Sequence, residues 1–261
     1  MQIKAERGYL IPAVNSDNTD YLACAHRLAH GIRQWHPDAK IAVLTETPVT
    51  DTVFDYVVAL PFGDRAADSN WKLDNDWQVF HASPFRQTLK LESDMWCAGP
   101  IDHWWTLFEQ RDVVVSQGCR TFYDTPGTSR YYRKIFDNNG LPDVYNGITY
   151  WRVSQTAQEF FGLVKQIFEN WNSYKRLLKM PDDRATTDVV YGMAAVIMGP
   201  ERITLPTGLG PTMVHMKKRM IPVARENWAE ELVAEQTDPG VRINTVAQWG
   251  LVHYHTKDFN K

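Results

Sequence analysis

Apolar runs alternate with amphipathic helical segments along the first half of the chain. The run Tyr9–Val14 fits a buried strand, and apolar residues then recur at helical spacing from Leu22 to Trp35, behind Asp20 as a candidate N-cap. Further patterns predict strands at Lys40–Thr45, Tyr56–Leu60, Gln87–Leu91 and Asp112–Ser116, and a helix at Ile101–Phe108 with Asp102 as its candidate cap. This alternation predicts a mainly parallel sheet covered by helices.

The second half of the chain is less regular. It predicts a strand at Tyr145–Val153, helices at Ser154–Trp171 and Thr186–Met198, and a final extended segment at Gln248–His255. No repeat, low-complexity tract or long linker divides the sequence, and 261 residues fit one large domain. We therefore expect a single α/β domain over residues 1–261, with a less regular C-terminal portion that covers one face of the sheet.

Composition narrows the class of protein. A net charge of −3 and a pI near 6.2 give no overall field that would favour nucleic acid or an anionic membrane. Three cysteines without a C-x-x-C pair argue against a disulfide framework and against a zinc ribbon. The N-terminus lacks the apolar region of a signal peptide, and no window approaches the ~18 apolar residues of a membrane span. We expect a soluble, cytoplasmic protein that does not bind membranes.

The sharpest chemical feature is the triplet Glu92-Ser93-Asp94, which directly follows the predicted strand Gln87–Leu91. Two carboxylates at the carboxyl end of a strand lie at the edge where open α/β sheets bind their ligands. Hard divalent cations prefer such oxygen ligands and share them with substrate phosphates. The triplet alone also fits a solvated acidic turn.

The tail carries a second candidate group of ligands, His253, His255 and Lys257. Imidazole together with carboxylate suits Mn²⁺, and a nearby lysine suits a departing diphosphate. A frayed terminus with chance histidines is the alternative. The two groups support each other only if the fold brings them together.

Six short segments follow one another in an order that carries a family resemblance. They are Val14–Tyr21, Lys72-Leu73, Thr88–Asp94, Tyr145–Ile148, Thr187-Asp188 and His253–Lys257. In this order they resemble six segments of the glycogenin-like glycosyltransferases, the retaining family eight. Those segments are the nucleotide segment, the K-L pair, the strand that ends in D-x-D, the N-x-G segment, the helix start with D-Q, and the C-terminal segment with histidine and lysine. The resemblance covers nearly the whole chain and implies the Rossmann-like GT-A fold.

The resemblance also implies an activity and a role for each segment. We expect a metal-dependent, retaining glycosyltransferase that uses a nucleoside diphosphate sugar, such as a UDP-sugar, with Mn²⁺ or Mg²⁺. Residues 1–116 would form the nucleotide-binding half, and residues 117–261 the acceptor half with a tail that binds metal and diphosphate. We expect Glu92, Asp94 and either His253 or His255 to bind the metal, and Asn15 and Tyr21 to contact the base and the ribose. We expect Lys72, Arg86 and Lys257 to contact the diphosphate, and Asp188 and Asn146 to contact the donor sugar.

The sequence departs from the family pattern at four places. The nucleotide segment has three extra residues before Tyr21. Glu92 stands where the family has the first aspartate of D-x-D and is one methylene longer, so we expect its contact to metal or ribose to be shifted or lost. Val189 replaces the glutamine of the D-Q pair. His253 and Lys257 are closer together than in the family, and the Pro-Trp pair is missing. These changes leave the identity of the donor open, and either tail histidine remains a candidate third ligand.

A second resemblance suggests an acceptor. The segments around Glu92, Ile101 and Tyr145 are similar to bacteriophage-encoded transferases, some of which glycosylate hydroxymethylated pyrimidines in DNA; the enzyme would then act in the host cytoplasm. Two basic runs are candidates for contact with a phosphate backbone. They comprise Arg130, Arg133 and Lys134 in the first run, and Lys217, Lys218 and Arg219 in the second. A saccharide or glycan acceptor is the alternative.

Two further hypotheses come from other functional classes. A nucleotidyltransferase would need a glycine-rich phosphate loop after the first strand, and Tyr9–Ser16 contains no glycine. A non-catalytic module that binds nucleotide sugars or DNA would account for the many aromatic residues and would tolerate Glu92. Metal-dependent hydrolysis of a nucleotide sugar without acceptor separates these alternatives from a transferase.

Overall fold

The computed structural model describes residues 2–66, 73–127, 133–180, 184–206, 208–216, 233–237 and 240–254. Its strands are β1 Ala5–Pro12, β2 Ile41–Leu44, β3 Tyr56–Val58, β4 Phe85–Leu91, β5 Met95–Cys97, β6 Val113–Gln117, β7 Val144–Arg152, β8 Met213–Met216, β9 Ala234–Thr237, β10 Gly240–Ile243, β11 Val246–Ala247 and β12 Leu251–Tyr254. Its helices are α1 Tyr21–Trp35, α2 Val79–Ala82, α3 Trp104–Phe108, α4 Lys134–Asn139, α5 Gln155–Glu169, α6 Trp171–Leu177, α7 Thr187–Met198 and α8 Pro200–Ile203, with a 3₁₀ turn at Asp76–Gln78.

A six-stranded sheet in the order β3-β2-β1-β4-β7-β6 forms the centre of the fold. The first four strands in this order are parallel, and β7 runs antiparallel to both β4 and β6. The carboxyl ends of β1 and β4 therefore lie at the same edge as the beginning of β7. The predicted α/β class, a mainly parallel sheet flanked by helices, is confirmed.

Side-chain alternation along β1 gives the sheet two apolar faces, because successive residues of a strand point to opposite sides. Tyr9 and Ile11 pack with α1 and α3 in one core cluster. Leu10 packs in the other cluster, with α5 and α7. Both faces are thus covered by helices, and Tyr9, Leu10 and Ile11 are all buried.

Two helix starts follow the sequence prediction closely. The Asp20 carboxylate accepts a hydrogen bond from the Ala23 N–H at 3.0 Å, and the Ser154 hydroxyl accepts one from the Ala157 N–H at 3.1 Å. The predicted Asp102 cap is wrong, because α3 begins at Trp104 and His103 occupies the cap position. The long helix expected from Ser154 is divided at Asn170 into α5 and α6.

A second, three-stranded sheet in the order β5-β12-β8 brings distant parts of the chain to the end of β4. Strand β12 is antiparallel to β5 and parallel to β8, so His253 lies opposite both Met95 and His215. A separate antiparallel sheet contains β9, β10 and β11. Within the described ranges, none of the helices has the length and apolar character needed to cross a membrane.

Candidate metal and donor site

Backbone hydrogen bonds fix the turn that follows β4. The Glu92 N–H donates to the Gly147 carbonyl of β7 at 3.1 Å, and the Tyr254 N–H of β12 donates to the Asp94 carbonyl, also at 3.1 Å. The turn is therefore attached to the central sheet on one side and to the small sheet on the other. The end of β4 and the end of β12 meet at this turn, as the two groups of candidate ligands require.

Glu92, Asp94 and His253 form a compact cluster at the carboxyl edge of the sheet. The Nε2 atom of His253 lies 3.4 Å from Glu92 Oε2 and 3.3 Å from Asp94 Oδ1. One candidate ligand atom from each residue lies within 4.8 Å of the other two. Adjacent ligands of an octahedral ion with bonds of 2.0–2.1 Å are about 3.0 Å apart, so small adjustments would seat a divalent cation here. Two carboxylates and one imidazole are a donor set that suits Mn²⁺.

The electrostatics of the cluster also favour a cation. Partial burial raises the pKa of Glu92, the neighbouring Asp94 carboxylate raises it further, and His253 opposes the rise. The Asp94 and His253 side chains are 11% and 9% exposed, whereas that of Glu92 is 36% exposed. The cluster thus has one side open to solvent and two carboxylates that repel each other, and a bound divalent cation would relieve this repulsion.

Because Gly147 has no side chain, the Glu92 carboxylate can occupy the space beside it. A Cβ atom at this position would lie 3.0 Å from Glu92 Oε2 and 2.7 Å from the Cε atom of Met95. The Met95 contact is closer than Cβ atoms make and the Glu92 contact is tight, so the tips of both side chains would have to shift. The glycine of the N-x-G segment therefore has a steric role beside the cluster.

We expect Gly147→Ala to weaken Mn²⁺ binding, because the added methyl group displaces the Glu92 carboxylate. Calorimetric titration of the variant with Mn²⁺ measures this, with the melting temperature as the control for folding. Gly162→Ala is a matched substitution, since a Cβ there meets no neighbouring atom within 4 Å. Equal Mn²⁺ affinity in both variants would show that Gly147 does not shape the site.

Asp188 and Asn146 are brought together beside the cluster. Asp188 lies in the first turn of α7, where the helix dipole favours a carboxylate. Its Oδ1 atom accepts the Asn146 N–H at 2.8 Å, and its Oδ2 atom accepts a hydrogen bond from Arg133 at 2.9 Å. The Asp188 side chain remains 33% exposed, so it is fixed in place and still accessible to a ligand.

Arg133 is a functional candidate that the sequence did not identify in this role. Its guanidinium is 2% exposed and is paired with both Asp143 and Asp188. It also lies between two aromatic rings, 3.8 Å from the Phe136 centroid and 4.0 Å from the Tyr145 centroid. The sequence prediction that Arg133 contacts a phosphate backbone is corrected, since the side chain is buried and holds Asp188.

Lys90 is a second residue that sequence reasoning missed. It is 1% exposed, and its Nζ atom donates to the Asn146 carbonyl at 3.2 Å and lies 3.5 Å from Asp76. The Tyr191 hydroxyl donates to the same aspartate at 2.5 Å. A lysine between two leucines in a buried strand was the available signal, because such a residue needs a buried partner.

The other residues predicted to contact the donor or DNA lie at different places in the structure. Asn15 and Tyr21 lie beyond the carboxyl end of β1, at the same edge, and the Asn15 side chain accepts the Leu22 N–H at 2.9 Å. Arg86 lies near the start of β4 and pairs with Glu6 at 3.2 Å. At about 3.3 Å per residue along a strand, it is about 20 Å from Glu92. The structure does not bring Arg86 into the site. Lys72, Arg130, Lys217, Lys218, Arg219, His255 and Lys257 lie outside the described residues.

Similarity to known proteins is found in structure and not in sequence. No protein-family model matches the chain, and no curated protein sequence is significantly similar to it. Mouse xyloside xylosyltransferase 1 in its apo form matches with a TM-score of 0.52 at 9% identity, over 97% of this chain and 98% of that one. An active-site mutant of LgtC matches with a TM-score of 0.48 at 11% identity, over 95% of this chain and 86% of that one. The glycosyltransferase GlyE of Streptococcus pneumoniae matches with a TM-score of 0.44 at 9% identity, over 78% of this chain and 46% of that one.

The likeness to the xylosyltransferase extends over nearly the full length of both chains. It includes the mixed α/β arrangement with a six-stranded central sheet between helices. The protein has the GT-A fold of this glycosyltransferase.

Proposed function

We propose that the protein is a metal-dependent glycosyltransferase that moves a sugar from a nucleoside diphosphate sugar to an acceptor hydroxyl. The observation that carries this proposal is the convergence of Glu92, Asp94 and His253 at the carboxyl edge of a GT-A sheet. Open α/β sheets bind nucleotides at this edge, and diphosphates bind there through a shared divalent cation. The likeness in fold to a glycosyltransferase supports the same activity.

The proposal assigns roles to the described residues of the cluster and its surroundings, and to Lys72 and Lys257, which lie outside the described part of the chain. Glu92, Asp94 and His253 would hold Mn²⁺ or Mg²⁺, which neutralises the charge of the departing nucleoside diphosphate. Asp188, fixed by Arg133 and by the Asn146 N–H, would accept hydrogen bonds from hydroxyls of the donor sugar. Asn15 and Tyr21 would contact base and ribose, and Lys72 and Lys257 the diphosphate. The family resemblance of the sequence implies a UDP-sugar and retention at the anomeric carbon, and both are part of the proposal.

The activity is tested by incubating the protein with a panel of nucleotide sugars, with Mn²⁺ and with EDTA, and by following release of nucleoside diphosphate and free sugar. We expect slow hydrolysis of one donor in Mn²⁺ and none in EDTA. Pyrophosphate release from a nucleoside triphosphate and a sugar phosphate would identify a nucleotidyltransferase instead. A non-catalytic module would bind a donor but show no turnover with any acceptor tested.

The acceptor proposed from the sequence is a hydroxymethylated pyrimidine in DNA. Arg133 is buried and therefore cannot be one of the phosphate contacts proposed for DNA. Within the described residues of the first basic run, Lys134 is exposed. The enzyme would also have to flip the base out of the stack.

We expect transfer of sugar to hydroxymethylcytosine DNA and not to unmodified DNA, with a salt dependence that steepens by about one unit of slope for each phosphate contact. Mass spectrometry of the digested DNA measures the product. Transfer to simple saccharides alone would overturn the DNA acceptor and leave the glycosyltransferase proposal standing.

A further inference from the structure

A second histidine lies directly behind the candidate ligand His253. His215 on β8 is the register partner of His253 on β12, and the two Nδ1 atoms are 3.1 Å apart. The rings are inclined by 34° with centroids 4.9 Å apart. Both residues are buried, with 4% of His215 and 7% of His253 exposed as whole residues, so water does not readily replace either partner of this hydrogen bond.

The geometry allows only one hydrogen between the two Nδ1 atoms. One ring must donate its Nδ1–H, and the other must accept it with a lone pair. A neutral His253 that donates from Nδ1 carries its lone pair on Nε2, the atom that faces Glu92 and Asp94. If His253 accepts at Nδ1, its Nε2 carries the hydrogen and cannot bind a cation. The direction of this one hydrogen bond therefore decides whether His253 is a ligand.

The surroundings of His215 hold its ring in place. The Tyr145 ring contacts it edge-on, with centroids 5.3 Å apart and an interplanar angle of 67°. The His215 N–H of the backbone donates to the Arg120 carbonyl at 3.0 Å, which extends the strand pairing of β8. Neither β8 nor the ring can move away from His253 without breaking these contacts.

We propose that His215 is a positioning residue that accepts the Nδ1–H of His253 and thereby presents the Nε2 lone pair of His253 to a divalent cation. This inference rests on the metal site of the proposed function. Partners of this kind fix the tautomer and the ring orientation of a ligating histidine, and their loss typically weakens metal affinity by about 10- to 100-fold. Here His215 on β8 would be that partner for His253 on β12.

The test compares two substitutions at this position. His215→Phe keeps a ring and removes the acceptor, whereas His215→Asn offers an amide oxygen near the place of Nδ1. We expect Mn²⁺ affinity, measured without donor by the electron paramagnetic resonance of free Mn²⁺, to fall by about 10- to 100-fold in the first variant and to recover largely in the second. His30→Asn, on the exposed face of α1, is the control and should bind as the original chain does.

A second measurement does not depend on any variant folding. In the original chain loaded with diamagnetic Mg²⁺, the ¹⁵N shifts should show a protonated Nδ1 on His253 and an unprotonated Nδ1 on His215. Protonation of His215 Nδ1 instead, or unchanged Mn²⁺ affinity in a folded His215→Phe variant, would overturn the inference and leave the metal site intact. Absence of Mn²⁺ binding by the original chain would overturn the metal site itself, and this inference with it.

Discussion

Asp94→Asn should reduce sugar transfer by about 10²- to 10³-fold, the loss typical of removing a group that stabilises charge developing in the transition state. The change keeps the shape of the side chain and removes the charge that faces His253 at 3.3 Å. Burial is the main cause of the raised pKa of Glu92, and the substitution removes the repulsion by Asp94 that adds to it, so the fold should survive. Initial rates of nucleoside diphosphate release, together with the melting temperature in EDTA, measure both effects.

Asp38→Asn is the matched control for this substitution. Asp38 is exposed in the turn before β2, at the opposite edge of the sheet, and the same charge is removed there. It should leave the rate unchanged. An Asp94→Asn protein with a normal rate and a lowered melting temperature would mean that the turn after β4 is structural.

Arg133→Met should destabilise the protein by about 3 kcal/mol. Removing one partner of a buried ion pair typically costs 3–5 kcal/mol. The lower value applies because the carboxylates of Asp143 and Asp188 are 27% and 33% exposed and can be partly solvated. For a domain of this size the melting temperature should fall by about 6–12 °C. Because Asp188 also loses a hydrogen-bond donor that holds it in place, KM for the donor should rise.

Arg152→Met provides the comparison for an exposed pair. Arg152 is 46% exposed and pairs with Asp112 at the surface, so its loss should cost about 1 kcal/mol or less. Calorimetric melting of both variants gives the difference. Similar melting temperatures for the two would show that the buried position of Arg133 between Phe136 and Tyr145 adds no stability over an exposed ion pair.

The helix starts and the parallel strands could be predicted because their signals are local. Asp20 and Ser154 mark helix starts through hydrogen bonds that span only three residues. The direction of β7 could not be predicted, because alternation along Val144–Arg152 is the same for a parallel and an antiparallel strand. That direction matters, since it places Asn146 and Gly147 beside Glu92.

The candidate site was predicted in part for the same reason. The acidic triplet and the tail histidine each stand out in sequence, but their meeting depends on the pairing of β12 with β5, which joins residues over 100 positions apart. His215 and Arg133 had no local signal of their role. Arg133 stands in a basic run typical of a solvated surface, and only the packing of Phe136 and Tyr145 around it shows that it is buried.

The proposed function is tested most directly by asking whether binding of a nucleoside diphosphate sugar requires a divalent cation held by Glu92, Asp94 and His253. Isothermal titration with a UDP-sugar in EDTA, and then in Mn²⁺, measures it, with Asp94→Asn as the variant that lacks one ligand. We expect binding in Mn²⁺, none in EDTA, and loss of the Mn²⁺ effect in the variant. Equal affinity in EDTA and in Mn²⁺ would contradict the metal-dependent glycosyltransferase proposed here.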